Sequence, residues 1–130
     1  KLDVSELIET NFSVVKPDYN LETLVKVIAQ SNRNIFPVVD DNKMLIGIIH
    51  LDKIRPVIFG STDRQSTLVK DLMIPSPVMI QLNENLHQVL NKFEETKLWN
   101  LPVVDKGEYV GLLSKSGILT TYRNELMESS

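Results

Sequence analysis

Reactive side chains are scarce in this chain, and their spacing gives them few partners. There are two histidines, His50 and His87, and no cysteine. His87 has no His, Cys or carboxylate at metal-ligand spacing, so it reads as a solvent-facing residue near a helix start. Glu94-Glu95 and Asp40-Asp41 are adjacent carboxylates whose side chains diverge on a helix or in a turn, so neither is a general acid–base pair. The sequence holds no G-x-x-x-x-G-K-S/T loop, no G-x-S-x-G elbow and no metal-binding His pair. Ser114 and His50 each stand just before a helical pattern. Ser114 is first of all an N-cap there, and His50 a cap or surface residue. The expectation is a chain with no catalytic residue and no metal site.

The elements that would position these residues occur twice. Phe36-Pro37-Val38-Val39-Asp40, followed by Ile46-Gly47-Ile48-Ile49, returns sixty-five places on as Leu101-Pro102-Val103-Val104-Asp105 and then, at an offset of sixty-four, as Val110-Gly111-Leu112-Leu113. A repeat at fixed spacing determines architecture before any single residue is read. In the first copy, Val4 to Ile8 is a short amphipathic turn and Phe12 to Val15 a short β-rich run. Asn20 is an N-cap, and Leu24, Val25, Ile28 and Ala29 fall at helical spacing after it. Ile35–Val39 and Met44–Ile49 are paired strands, and Leu51–Phe59 a helical pattern interrupted by Pro56. Pro37 and Pro102 are read as strand entries, and Asp40 and Asp105 as turn-fixing residues. The second copy follows suit. Val69–Met73 leads in, Pro77–Ile80 is β-rich, Asn85 caps a helix with Leu86, Val89, Leu90 and Phe93 on one face, Asn100–Val104 and Tyr109–Leu113 pair, and Ser114–Met127 is the last helix.

Each copy is therefore β-α-β-β-α with a lead-in turn, an α/β (α+β) fold of two tandem repeats with small mixed sheets. The strand–helix–strand part is expected to be a parallel, right-handed crossover, and the tight turn after it to make the next strand antiparallel. Residues 1–60 form the first repeat, the polar stretch 61–67 a linker, and 68–130 the second repeat. Of 130 residues 42% are hydrophobic and 24% charged, enough for a core, although a half of this size is marginal alone and should share one. A net charge of −3 argues against a nucleic-acid surface, which needs a basic stripe. No apolar run approaches the roughly 18 residues that span a bilayer, so no membrane insertion of this segment is expected. A chain opening on Lys1 rather than Met reads as part of something longer.

The twin h-h-P-V-V-D … h-G-h-h blocks, with matching flanks, resemble the cystathionine-beta-synthase-type (CBS) domain pair, or Bateman module, over nearly the whole chain from Val4 to Met127. The resemblance implies two halves packed sheet against sheet about a pseudo-twofold axis, a homodimer, and clefts that take adenine nucleotides (ATP, ADP or AMP) with no cofactor required. His50-Leu51-Asp52-Lys53-Ile54-Arg55-Pro56, and Ser114 to Leu119 running into Tyr122 to Leu126, look like the cytosolic C-terminal part of bacterial ClC-type chloride channels and transporters. That implies a non-catalytic regulatory domain on the cytoplasmic side of the cell membrane, with the transmembrane part of the same chain as partner. The alternatives are a purely structural dimerisation module with empty clefts, and a CBS insert of a metabolic enzyme or a magnesium transporter.

Nucleotide-binding members read G-h-h-T/S-x-x-D, with the hydroxyl and helix start on phosphate and the carboxylate on ribose. From Gly47 this frame places His50 and Lys53; from Gly111 it places Ser114 and Gly117. Neither copy has the ribose carboxylate, and Asp52 lies about 100° away around the helix from position 53. By the family pattern one cleft uses Thr10, Asn11, Phe12, Asn34 and Ile35 with Leu112, Ser114 and Gly117. The other uses Ser76, Pro77, Val78, Trp99 and Asn100 with Ile48, His50 and Lys53.

Overall fold

The computed structural model describes residues 4–129. In order, the elements are a 3-10 turn Val4–Leu7, α1 Leu21–Ala29, β1 Ile35–Val39, β2 Leu45–His50, α2 Leu51–Ile58, α3 Val69–Leu72, β3 Ile74–Pro75, β4 Ile80–Gln81, α4 Leu86–Thr96, β5 Asn100–Asp105, β6 Glu108–Ser114 and α5 Lys115–Glu128. They are two copies of a small mixed sheet with helices, as the repeat requires.

The compact units are offset from the sequence repeats by one lead-in. Residues 12–77 form one unit, and residues 4–11 with 78–129 form the other. In the first, the sheet runs β1-β2-β3, with β3 drawn from the start of the second repeat. In the second the sheet is β4-β5-β6, and Glu9 from the start of the chain bridges Leu112 on β6. Both hairpins are antiparallel and both carry a register shift, after Val38 and after Val103. β4 joins β5 in parallel, as expected of a crossover. The matching run Phe12–Val15 is reduced to one parallel bridge between Val15 and Val38.

Pro37 and Pro102 are interior positions of β1 and β5 rather than strand entries. Pro37 is tolerated because its carbonyl and its missing N–H point toward the Val15 side. There the bonds needed are Val15 N–H to the Pro37 carbonyl (2.9 Å) and Val39 N–H to the Val15 carbonyl (3.0 Å), neither of which uses a donor on residue 37. Asp40 fixes its turn as expected, its Oδ1 accepting from the N–H groups of Asn42 and Met44, both at 2.9 Å. Asp105 has no such side-chain bond. Its hairpin is closed instead by Lys106 and Gly107, both at positive φ (52° and 90°), the backbone that two-residue hairpin loops require.

Each unit has its own core. In the first, Val15, Leu21, Leu24, Phe36, Val38, Ile49, Ile54, Ile58 and Val69 cluster. In the second, Val4, Ile80, Val89, Phe93, Leu101, Val103, Leu113 and Ile118 do so. α2 runs unbroken through Pro56, contrary to the interruption expected from its sequence. Proline removes one helical hydrogen bond, but burial of Ile54 and Ile58 holds the turn on either side of it. Residues 61–67 are not a slack tether. Leu21 and Glu22 donate their N–H groups to the carbonyls of Thr67 (2.8 Å) and Arg64 (3.1 Å), so this stretch satisfies the free start of α1. Arg64 also ties back to the Ile58 carbonyl at 3.0 Å.

Candidate functional site

The start of each second helix gathers the residues singled out by type. In residues 12–77, Leu51 N–H donates to the Asn34 carbonyl at 2.9 Å and Ile35 lies opposite His50, so Asn34, Ile35 and His50 are neighbours. In the other unit Lys115 N–H donates to the Trp99 carbonyl at 2.8 Å and Asn100 lies opposite Ser114. The two places are homologous in position and different in chemistry.

At the start of α5 the Ser114 hydroxyl oxygen accepts the Gly117 N–H at 3.0 Å, so the expected cap is formed. Gly117 has room for this because it lacks a side chain; a Cβ there would stand 2.9 Å from Ser114 Oγ. Trp99 is 69% exposed, which removes it from the core. The Lys115 ammonium lies 5.3 Å from its ring centroid and 3.7 Å from Glu94.

At the start of α2 no side chain caps the helix, since His50 makes no cap bond. Asp52 is drawn away to Arg55 at 2.7 Å and so does not replace the ribose carboxylate. Lys53 is exposed and takes part in none of the ion pairs among the described residues. Burial, and then the neighbouring Lys53 charge, push the His50 imidazole below its ordinary pKa, against a weaker pull from Asp52. His50 is therefore neutral at neutral pH. Past Leu51, whose N–H is held by Asn34, the start of α2 has no side-chain cap and one ammonium outside the ion pairs of the described residues, and a helix start of this kind attracts negative charge.

Of the other residues named from the sequence, Thr10, Asn11 and Asn34 are exposed, whereas Phe12, Ile35, Ile48 and Leu112 are buried. Thr10 follows Glu9, whose N–H and carbonyl both bond Leu112 (2.8 and 2.9 Å), so Thr10, Asn11 and Leu112 share one edge of their unit with Ser114 two residues on. Ser76, at positive φ (47°), and Pro77 follow β3, and exposed Val78 precedes β4. Sequence reasoning missed Arg33, whose guanidinium stacks 4.3 Å from the Phe12 ring centroid. That pairing joins residues on two separate loops, and no local pattern announces it. His87 is exposed, as read. Among the described residues no His, Cys, Asp or Glu cluster could hold a metal, and no helix is long and apolar enough to cross a membrane. A shallow recess of about 300 Å³ lies elsewhere, between Gln81, Leu82, Asn83, Asp105 and Lys106.

Comparison with known proteins gives this geometry a context. The chain is 28% identical to the CBS domain-containing protein CBSX2, chloroplastic, of Arabidopsis thaliana, over 84% of its length, and spans 58% of that relative. It is 30% identical to the inosine-5'-monophosphate dehydrogenase of Halobacterium salinarum over 84% of its length, but this is 21% of that enzyme. A crystal structure of CBSX2 in complex with AMP superposes with a TM-score of 0.78 at 25% identity, covering 95% of this chain and 98% of that one. The soluble part of a magnesium transporter shares the fold, with a TM-score of 0.78 at 18% identity, covering 95% of this chain and 48% of that one. The CBS domain model matches residues 4–60 and 69–124, the two stretches that carry the repeated Pro-Val-Val-Asp strand, the Gly47 and Gly111 positions and the two helix starts, so the chain belongs to the CBS domain family.

Proposed function

We propose that this chain is a regulatory, non-catalytic CBS-pair module whose ligand is an adenine nucleotide. The observation that carries the reading is its similarity along almost its full length to CBSX2, a protein crystallised with AMP. The start of α2 supports a phosphate-bearing ligand, because no side chain caps it and Lys53 stands beside it, outside the ion pairs of the described residues. The residues assigned to binding are Phe12, Asn34, Ile35, Ile48, His50, Lys53, Ser76 and Pro77 in one unit. In the other they are Thr10, Asn11, Val78, Trp99, Asn100, Leu112, Ser114 and Gly117. Without a ribose carboxylate at Lys53 or Gly117, the phosphates contribute more of the affinity than the sugar does. A ligand that regulates must bind two arrangements of the module unequally.

Thermal unfolding with millimolar AMP, ADP or ATP tests this. Specific binding to the folded state raises the midpoint, by an amount that grows with concentration. A midpoint indifferent to all three nucleotides leaves the structural reading, a dimerisation module with empty clefts.

The module acts as a homodimer through the helical faces of Leu51–Phe59 and Ile118–Leu126, where Phe59 and Leu126 are exposed. The host we assign is a ClC-type chloride channel or transporter, with the module on the cytoplasmic side of the membrane. That assignment rests on the residues around His50–Pro56 and Ser114–Leu126. A second reading, an insert in a metabolic enzyme or a magnesium transporter, is favoured by the similarities to inosine-5'-monophosphate dehydrogenase and to the magnesium transporter fold. The flanking coding sequence decides between them. About ten or more apolar spans upstream support the channel, and a catalytic domain around the pair overturns it.

A further inference from the structure

β3 is held to β2 by two residue pairs only, Gly47 opposite Pro75 and Ile48 opposite Ile74. What seats it is the side chain just before it. The Met73 Cγ and Sδ occupy the space where a side chain on residue 47 would begin, with the Ile74 carbonyl oxygen 3.1 Å from the same point. The thioether thus lies directly on the bare Cα of Gly47. The homologous notch at Gly111 is filled by the Ile8 Cγ2 methyl and the Glu9 carbonyl. One notch carries a hydrocarbon, the other an oxidisable sulfur.

We infer that Met73 is a modification site, an oxidation-sensitive latch that seats β3 on β2. Peroxide is the reagent class. The Sδ lone pair attacks one peroxide oxygen, the O–O bond breaks, a sulfur–oxygen bond forms, and the second oxygen leaves as water after protonation. Sulfur loses two electrons and peroxide gains them. The product does not fit. A sulfoxide oxygen is a strong acceptor, whereas the notch offers it the apolar Cα of Gly47 and the Ile74 carbonyl oxygen, neither of which donates a strong hydrogen bond. Met73 is only partly buried, beside an exposed β3, so the reagent can reach it. Releasing β3 loosens β2, whose last residue is His50, and so acts on the start of α2. This last step rests on the proposed binding role of α2; the latch itself does not.

The test uses the full chain and hydrogen peroxide, with peptide mass mapping of Met44, Met73, Met79 and Met127 and a thermal midpoint at each stage. The expected result is a midpoint lowered by about 5 °C as Met73 converts. Methionine sulfoxide reductases should restore it, and Met73→Leu should abolish the drop while leaving the other three methionines oxidised. The latch is refuted if Met73 stays unmodified while the exposed Met127 converts fully, or if oxidised Met73→Leu falls as far as the parent. Should Met73→Leu fail to fold, the wild-type time course decides. A drop that tracks the Met73 sulfoxide supports the latch, and one that tracks Met79 or Met127 overturns it. Nucleotide binding is measured separately, so loss of that function would leave the latch result standing.

Discussion

A backbone carbonyl is the least yielding neighbour a new side chain can meet. At Gly111 an added Cβ would come within 2.6 Å of the Glu9 carbonyl oxygen, whereas at Gly47 it would meet first the flexible end of Met73. Gly111→Ala is therefore expected to cost about 1–3 kcal/mol, and Gly47→Ala less, because a thioether can swing aside. Denaturant unfolding of both variants checks the order, and an equal or reversed cost would contradict it. His50 supplies a second case. Its folded pKa lies below 6.5, so as the pH falls through that value the unfolded chain takes up the proton first. Stability is then full above about pH 6.5 and declines as the pH drops toward the folded pKa. His50→Asn should flatten that decline and, by giving α2 a cap it lacks, add about 0.5–1 kcal/mol at neutral pH. Unfolding curves at pH 7.5 and 5.0 measure both effects. Tyr109 shows the cost of burial from another side, for its hydroxyl is buried with no hydrogen-bond partner among the described residues and burial pushes its pKa up to about 12.

Among the elements, α5 ends in turns that face solvent. Residues 123–129 are all exposed, Leu126 and Met127 among them. If this face and α2 form the dimer contact, Leu119→Asp halves the mass seen by sedimentation equilibrium. Leu126→Asp, at a position 51% exposed, does the same without disturbing the core, and an unchanged mass in both would refute the contact. Elements with a strong local period were legible in the sequence: the α1 and α4 faces, the two hairpins, and the Asn20 and Asn85 caps, whose side chains accept from Thr23 and Gln88. β3 was not legible. It is two residues long and pairs beside Gly47, far back in the chain, whose missing side chain leaves the space that Met73 fills. The continuity of α2 through Pro56 was hidden for a like reason, since burial of Ile54 and Ile58 overrides a local preference. The candidate site was half legible. Ser114 could be read as a cap from its place before a helix, but the stacking of Arg33 on Phe12 joins separate loops and leaves no trace in spacing.

At the scale of the molecule, the gene's period and the packing period are out of step. Residues 4–11 complete the unit made by 78–129, while α3 and β3, from the second repeat, complete the unit made by 12–77. Trypsin cutting after Arg64, in the stretch between the repeats, would yield an amino-terminal piece that still supplies Val4 and Glu9 to the other piece's core and sheet. The carboxy-terminal piece would still supply Val69 and β3 in return. The two pieces should co-elute in native gel filtration and part only in denaturant; separation in native buffer would contradict the exchange. A chain severed this way would behave as a reciprocal clasp, its halves kept together by mutual loan, so that either one expressed singly should be a broken sheet looking for the other.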